Sequence, residues 1–524
     1  MTVGSEGHPT DESSGFKPRD FTVFWKCPDT GFFLVAIGIL CGVWMSMKMQ
    51  EWLQKQLKLL KLGLKLRGPP ALPFIGNALQ FACSPEEILD RIVDLCKHYD
   101  SPFRFWLGPK LFVILTKPCD IEVILGSPKA AYKDLVYRFF QPFIGRGLIS
   151  GSGPTQRTHR KLIMPMLNAK VLDEYVEYFV HHSEYCVNRL EELVDTEEFD
   201  IYPFLEHCTI DIILDTIMGA SGTSQQGGYQ QLAEASRKIY DLVYPRMTKL
   251  WLHPDWIYGW TDYGEQTVTA AEIVHSFTES LIVRKRKEHH ALERGSVLAS
   301  RPRLMLLEQL IAHVEKTSVM NDEKLRDEIY TVFLAAQDTS AVISSFVFLM
   351  LGMHQSIQDK VRTELHEVLG EGSVTAENIH DLKYVEMVVK ETLRLFPIAP
   401  LMVRELKGDV ELQTMTLLEG CSVIMVPYMT HRDPNHWANP DEFDPDRFAS
   451  ENSVGRHSCA YVPFSGGLRG CIGQKYAIMC LKTVVANVVR RFRLSCKKSL
   501  HELRLKTDIS IRSIDGYKVS ITHA

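Results

Sequence analysis

The chain has 524 residues, 45% of them hydrophobic and 23% charged, a balance typical of a folded protein with a sizeable core and not of a disordered chain. A formal net charge of −5 excludes a generally basic surface and so argues against nucleic-acid binding. The twelve cysteines include no C-x-x-C pair, which indicates neither a disulfide scaffold nor a standard zinc module.

The first predicted element is an uncharged stretch of eighteen residues, 30–47, long enough to cross a bilayer as a helix. Acidic residues outnumber basic ones before it, whereas residues 48–67 carry six Lys or Arg and only one acid, Glu51. This bias predicts a luminal tail over residues 1–29, a transmembrane anchor over 30–47 and a cytosolic body. The acidic start argues against a cleaved signal peptide or a mitochondrial presequence. A buried core helix is the alternative for residues 30–47.

Residues 48–77 are predicted to form a basic and proline-rich linker, because the prolines of LRGPPALPFIGN interrupt both helices and central strands. Residues 78–524 are predicted to form one catalytic domain. Apolar residues recur there three and four positions apart as far as about residue 395, which is typical of helices, and β-like runs such as LFVILT are few. The predicted fold class is mainly α.

A nearly charge-free helix is predicted over residues 327–352, with Asp338 near its middle. An ionised carboxylate at the centre of a bilayer costs roughly 2.5–3.5 kcal/mol on insertion scales. The pattern therefore favours a helix through a soluble core, with Asp338 reaching a water-filled pocket, over a second membrane span.

The segment KETLRLFP places Glu391 and Arg394 on one face of a predicted helix with few other polar residues. Buried charges must be paired, so a third partner is expected elsewhere. Arg447, in the proline-rich segment PDEFDPDRF, is the candidate.

A glycine-rich loop, FSGGLRGCIG, contains Cys471 and is followed by an amphipathic helical pattern. The amides and dipole at the start of that helix are expected to lower the pKa of the thiol, as a metal ligand or a nucleophile requires. A buried structural cysteine at a glycine turn is the alternative.

The spacing of Phe464, Gly467, Arg469, Cys471 and Gly473 resembles the haem-binding signature of the cytochrome P450 monooxygenases. The E-x-x-R pair, the segment 440–448 and the hexapeptide AAQDTS at 335–340 resemble further motifs of that family, in the same order. The resemblance is strongest to the animal and insect family-four clan. It implies the cytochrome P450 fold, a helical bundle around haem with small β-sheets, behind a single N-terminal transmembrane anchor.

By this resemblance, the cofactor is haem b, held without covalent bonds apart from the iron ligand Cys471. Phe464 would contact the haem, and Arg160, Arg404 and Arg469 would bind its propionates. Gln156 departs from the family pattern, which usually has tryptophan there, and should alter one haem contact.

The resemblance also assigns Asp338 and Thr339 as the acid and alcohol that position water and relay protons, while Glu391, Arg394 and Arg447 brace the fold. Ala336 stands where the family often has glycine, which implies a tighter groove for dioxygen. Ala335 stands where many members of the clan have the glutamate that attaches haem covalently, so no such attachment is expected.

The implied function is that of a monooxygenase of the endoplasmic reticulum membrane, with its catalytic domain on the cytosolic face, that hydroxylates or epoxidises a lipophilic substrate. Dioxygen, an NADPH-dependent cytochrome reductase and cytochrome b5 are the implied partners, with Lys475 and Lys482 as candidate docking residues. The chain carries no dinucleotide or flavin motif of its own. A haem-thiolate peroxide isomerase or dehydratase, and a haem carrier without activity, are the alternatives.

The substrate pocket, or its membrane-facing entrance, is predicted to be lined by aromatic and aliphatic residues. These are Phe139, Phe140, Phe143 and the ranges 251–260 and 401–403.

Overall fold

The computed structural model describes residues 28–294, 305–317 and 319–524. Of the predicted luminal tail, only Pro28 and Asp29 lie within the described residues, at the start of the first helix. The chain divides into two compact units between Lys58 and Leu59.

Helices account for most of the described residues, and many of them begin at or next to a proline, whose fixed φ suits the first turn. They are α1 Pro28–Lys65, α2 Ala78–Phe81, α3 Pro85–His98, α4 Pro118–Gly126, α5 Gln141–Ile144, α6 Gly153–Ile163, α7 Ala169–Leu190, α8 Tyr202–Ile213, α9 Gln230–Thr248, α10 Asp255–Gly259, α11 Asp262–Arg294, α12 Leu306–Thr317, α13 Asp322–Met353, α14 Gln355–Leu369, α15 Lys383–Leu395, α16 Pro427–Thr430 and α17 Gln474–Arg491.

The strands form small sheets. They are β1 Phe103–Leu107, β2 Lys110–Leu115, β3 Phe199–Asp200, β4 Met402–Glu405, β5 Val410–Glu411, β6 Thr416–Leu417, β7 Ser422–Met425, β8 Phe492–Ser495, β9 Leu505–Thr507, β10 Ile511–Ser513 and β11 Lys518–His523. The largest sheet has the order β1-β2-β7-β4, with β2 and β7 parallel and the other pairs antiparallel. The others are β3-β11-β8 and the hairpins β9-β10 and β5-β6. The mainly α architecture predicted from the sequence is confirmed.

Helix α1 contains the predicted anchor and continues beyond it. Its apolar window has a mean hydropathy of 1.9, and none of that window is buried inside the structure. Residues 48–65, within the predicted linker, belong to the same helix because their Leu, Lys and Gln residues favour helical backbone. The helix ends at Lys65, shortly before Pro69 and Pro70.

Helix α13 is the central helix of the core. Of its most apolar window, 83% is buried inside the structure, and the helix packs against α8, α15 and α17. The Asn321 side chain caps its N-terminus by accepting a hydrogen bond from the Lys324 amide. Its apolar surface is therefore covered by protein, as the core-helix interpretation of residues 327–352 predicts.

Candidate active site

The loop that carries Cys471 is shaped by a backbone hydrogen bond and a glycine. The Cys471 amide donates to the Phe464 carbonyl oxygen at 2.9 Å, which closes the turn directly before α17. Gly467 has φ +59°, and a Cβ there would lie 2.0 Å from the Leu125 carbonyl oxygen. Only glycine fits this approach, so the position of the loop against α4 depends on it.

The Cys471 thiol is accessible although protein surrounds it. Cys471 is exposed, yet desolvation by burial raises the pKa of the thiol, and the Gly473 backbone and the charge of Arg160 lower it less. The exposure of Cys471 and the raised pKa of its thiol are both explained by a sulfur that faces an open space inside the protein. The sequence predicted a lowered pKa from the helix terminus alone; the structure differs because the cost of burial outweighs that terminus.

Three arginines lie in or beside this loop: Arg469 within it, and Arg160 and Arg404 next to it. Arg160 donates to the Gly470 carbonyl oxygen at 2.6 Å, and Arg469 donates to the carbonyl oxygens of Ala131 at 2.7 Å and Gly151 at 2.6 Å. Arg404, on β4, is buried.

Among the described residues, none of the three arginines forms an ion pair with a carboxylate. Burial and the charge of Arg404 lower the pKa of Arg469 to about 10. Positive charge so placed needs an anion, and the two propionates of haem b fit it beside a thiol that can bind iron.

Helix α13 leaves one narrow stripe only partly covered. Val332, Ala335, Ala336 and Thr339 recur at helical spacing, while every other residue from Asp327 to Gly352 is buried. The Thr339 hydroxyl donates to the Ala335 carbonyl oxygen at 2.8 Å, within an α-helix that continues without a break past Ala336. The stripe is apolar except for this hydroxyl.

Asp338 does not reach a water-filled pocket as the sequence predicted. Its carboxylate pairs with the Arg512 guanidinium of β10 and accepts a hydrogen bond from the Ser510 hydroxyl at 3.2 Å. Arg512 also donates to the Tyr202 hydroxyl at 3.2 Å. Burial raises the pKa of Asp338, and Arg512 acts in the opposite direction.

Sequence analysis missed Arg512. The available signal was general: a buried acid needs a cation, and Arg512 stands between two strand residues, Ile511 and Ser513, that are themselves buried. The sequence contains many arginines, and nothing in its spacing selects this one.

Glu391, Arg394 and Arg447 lie together, as the sequence predicted. Arg394 holds Glu391 in a two-pronged contact of 2.7 and 2.8 Å, and Arg447 Nε lies 3.4 Å from Glu391 Oε1. Arg394 also donates to the carbonyl oxygens of His431, Pro440 and Glu442. The pair thereby ties α15 to the segment that precedes the Cys471 loop.

Two sequence-based assignments differ from the structure. Lys482 is only 3% exposed and lies 3.3 Å from Glu386, so it is not available for docking, because this face of α17 packs inward. Phe139, Phe140 and Phe143 are buried core residues.

The range 251–260 agrees with only one of its two predicted places, the membrane-facing entrance. Its three tryptophans, Trp251, Trp256 and Trp260, are 54–84% exposed, so they lie on the surface and line no enclosed pocket. Gln156, the departure from the family pattern, is buried.

Comparison with known proteins gives one family. The family model described as Cytochrome P450 matches residues 66–520. Cytochrome P450 4V2 of Mus musculus is 34% identical over 86% of this chain and 88% of its own length. Cytochrome P450 4c3 of Drosophila melanogaster is 30% identical over 94% of each chain, and the Homo sapiens 4V2 protein is 32% identical over 86% of this chain and 88% of its own length.

Proposed function

The chain belongs to the cytochrome P450 family and is a haem-thiolate monooxygenase that binds haem b, and we propose that it works at a membrane on a lipophilic substrate. The observation that most supports haem binding at this site is the accessible Cys471 thiol beside arginines that have no acidic partner among the described residues. Cys471 would be the iron ligand, and Arg160, Arg404 and Arg469 the propionate partners.

When bound, haem supplies the centre at which dioxygen is activated, so that one oxygen atom enters the substrate and the other leaves as water. The chain's own residues would bind the substrate, exclude water and transfer protons. The apolar stripe of Val332, Ala335 and Ala336 would hold a lipophilic substrate and exclude water, and the Thr339 hydroxyl would hold and pass a proton. Phe464 would lie against the haem next to Cys471.

We assign Asp338 a supporting part in this scheme. Its carboxylate is engaged by Arg512 and Ser510, so it would fix the turn of α13 that presents Thr339. The buried contacts of Glu391 with Arg394 and Arg447 would hold the segment leading to the Cys471 loop.

Membrane attachment through residues 30–47 is supported by the uncovered apolar surface of α1 and by the basic residues that follow it. We propose that residues 1–29 are luminal and that the catalytic domain, residues 78–524, faces the cytosol at the endoplasmic reticulum. Residues 48–77 would connect the membrane anchor, residues 30–47, to the catalytic domain.

A patch formed by the connecting segment and the catalytic domain would rest on the membrane surface. Phe74 is 96% exposed, and Trp256 and Trp260 lie edge to face, with ring centroids 5.5 Å apart. A Cβ on Gly108 would lie within 4.0 Å of both the Phe74 carbonyl oxygen and Leu250, so the two exposed segments are neighbours. Exposed tryptophans of this kind favour the interface between lipid and water.

The reductase would dock near the Cys471 loop, with cytochrome b5 as a second donor. Lys475, four residues after Cys471, is exposed, as are Arg157 and Lys161 on α6. Replacing Lys475 with Glu should raise the KM for the reductase, whereas Lys518→Glu on β11 should not. Equal effects of both variants would remove this docking face.

The central experiment expresses the full chain in membranes with an NADPH-dependent cytochrome reductase and screens fatty acids, terpenoids and xenobiotics by mass spectrometry. We expect an oxygenated product that requires NADPH and the reductase. Conversion of a lipid peroxide without NADPH would favour an isomerase instead. A normal carbon monoxide difference spectrum without oxygen consumption would favour a carrier.

The role of Thr339 is tested by Thr339→Ala, with Ser340→Ala as the matched control because Ser340 is buried away from the stripe. We expect Thr339→Ala to retain haem and consume NADPH while forming less product per NADPH. The control should leave that ratio unchanged. A ratio equal to wild type in Thr339→Ala would place proton delivery elsewhere.

A further inference from the structure

Glu328, on α13, is a buried carboxylate to which the proposed mechanism gives no part. Its side chain is 0% exposed, and each of its oxygens has a partner. His159 of α6 donates to Oε1 through Nδ1, and the Leu148 amide donates to Oε2 at 3.2 Å. One carboxylate thereby fastens both α6 and the loop of residues 145–151 to the central helix.

The 145–151 loop lies directly against this carboxylate. A Cβ on Gly147 would lie 2.6 Å from Glu328 Oε1, and the three atoms nearest to that Cβ all belong to Glu328. Only glycine allows so close an approach. The Gly151 amide donates to the Gly147 carbonyl oxygen at 2.8 Å, which closes the loop on itself. A displacement at Glu328 is therefore transmitted through Gly147 to Gly151.

The far side of the 145–151 loop holds Arg469. The guanidinium of Arg469 donates to the carbonyl oxygens of Leu148 at 3.2 Å and Gly151 at 2.6 Å. Leu148 therefore contacts Glu328 through its amide and Arg469 through its carbonyl oxygen. The direction in which this guanidinium points depends on where Glu328 holds the loop.

The second partner of Glu328 leads to a second arginine. His159 directly precedes Arg160 on α6, and Arg160 donates to the Gly470 carbonyl oxygen at 2.6 Å. The turn of α6 that presents Arg160 to the Cys471 loop is thus fastened to α13 by the contact between His159 and Glu328.

We propose that Glu328, together with His159, is a positioning residue that orients Arg160 and Arg469 for haem. The inference rests on the proposed role of these two arginines as propionate partners. Without Glu328 both guanidinium groups remain, but the segments that hold them are no longer fixed to α13.

The test measures haem loss from the full-length, haem-loaded protein to excess apomyoglobin. Glu328→Leu should lose haem about tenfold faster or more, because Leu148 and His159 both lose their acceptor. Glu328→Gln should restore haem retention to within about threefold of wild type, since a carboxamide can accept from the Leu148 amide and donate to the imidazole. The imidazole borders a cleft of about 370 Å³, which leaves its second nitrogen room to carry the proton.

Glu308→Leu is the matched control. Its carboxylate also accepts from a backbone amide, that of Met305 at 3.1 Å, and pairs with a base, Lys285 at 3.0 Å, in another part of the fold. We expect Glu308→Leu to lower the free energy of unfolding without faster haem loss. Equal haem loss in Glu308→Leu and Glu328→Leu would overturn the inference, because it would indicate general destabilisation.

Gly147→Ala disturbs the same contact from the side of the loop and carries the test alone if Glu328→Leu does not fold. We expect faster haem loss and faster hydrogen exchange of the Leu148 amide, measured by mass spectrometry on the haem-loaded protein. The double variant with Glu328→Leu should lose haem no faster than Glu328→Leu, because both changes break one contact. Independent, multiplying effects would contradict the proposal.

Arg469→Met separates this inference from the proposed haem site. If Arg469→Met speeds haem loss while Glu328→Leu and Gly147→Ala do not, Glu328 does not position Arg469, although the propionate site stands. If none of the three variants loses haem faster, the proposed propionate site is itself wrong. Haem loss from Glu328→Gln as fast as from Glu328→Leu would also overturn the inference, because the hydrogen bonds would then not be what matters.

Discussion

The pair of Asp338 and Arg512 allows a test of how the central helix is held. Its side chains are 2% and 14% exposed, so both charges are largely removed from water. In Arg512→Met, Asp338 would keep only the 3.2 Å hydrogen bond from Ser510. Breaking a buried pair on one side costs about 3–5 kcal/mol, and we expect a loss of that size in the free energy of unfolding.

The double variant sharpens this prediction. Asp338→Asn combined with Arg512→Met leaves no charge buried, so its loss should be smaller than the sum of the single losses by about 2–3 kcal/mol. Urea unfolding of the haem-loaded protein, followed by far-ultraviolet circular dichroism in one detergent, measures all four corners of the cycle.

A control is available close by. Arg504 pairs with Asp515 but is 67% exposed, so Arg504→Met should cost no more than about 1 kcal/mol. If the losses of Asp338→Asn and Arg512→Met add to within about 0.5 kcal/mol, the two side chains do not act together and Asp338 must be held by something else.

Three further predictions concern the loop and its support. Cys471→Ala should fold, by circular dichroism, but lose the thiolate absorption of the reduced carbon monoxide complex; retention of that absorption would exclude Cys471 as the ligand. Gly467→Ala should destabilise the protein and speed haem loss, because a Cβ there meets the Leu125 carbonyl oxygen at 2.0 Å, whereas Gly227→Ala, with left-handed backbone of φ +87° and nothing within 4 Å, should cost only about 1–2 kcal/mol. Burial lowers the pKa of His431 from 6.5 to about 3. As the pH falls below about 6.5, this imidazole therefore becomes protonated in the unfolded state but stays neutral in the folded state. Stability should therefore fall by about 2 kcal/mol between pH 7 and pH 5, and His431→Asn should remove that part of the slope; an unchanged slope would contradict it.

The sequence was most informative where chemistry is concentrated in one short segment. The spacing around Cys471 and the Glu391–Arg394 pair lie within ten residues or fewer, so their residue types and order could be compared with a known pattern. Helical periodicity likewise predicted the mainly α fold, and the near absence of charge between Asp327 and Gly352 predicted a buried helix.

The remainder depends on contacts between distant segments. Arg512 follows Asp338 by 174 residues, and Glu328 reaches Arg469 through Leu148, contacts that no local spacing encodes. Lys482 was assigned to the surface because lysine usually lies there, but one face of α17 packs against the core. The predicted lowering of the Cys471 thiol pKa was wrong in direction, because the depth of burial of the thiol cannot be judged from its position at a helix terminus.

The bond between Arg512 and Asp338 also sets an order of events during synthesis. Ribosomes add about 5–20 residues per second, so the guanidinium emerges roughly 9–35 seconds after the carboxylate it neutralises. Throughout that interval α13 carries an acid that its own core cannot accommodate in charged form. The nascent chain must therefore leave the surroundings of α13 hydrated, or keep Asp338 protonated, until the β9-β10 hairpin arrives and closes the catalytic body.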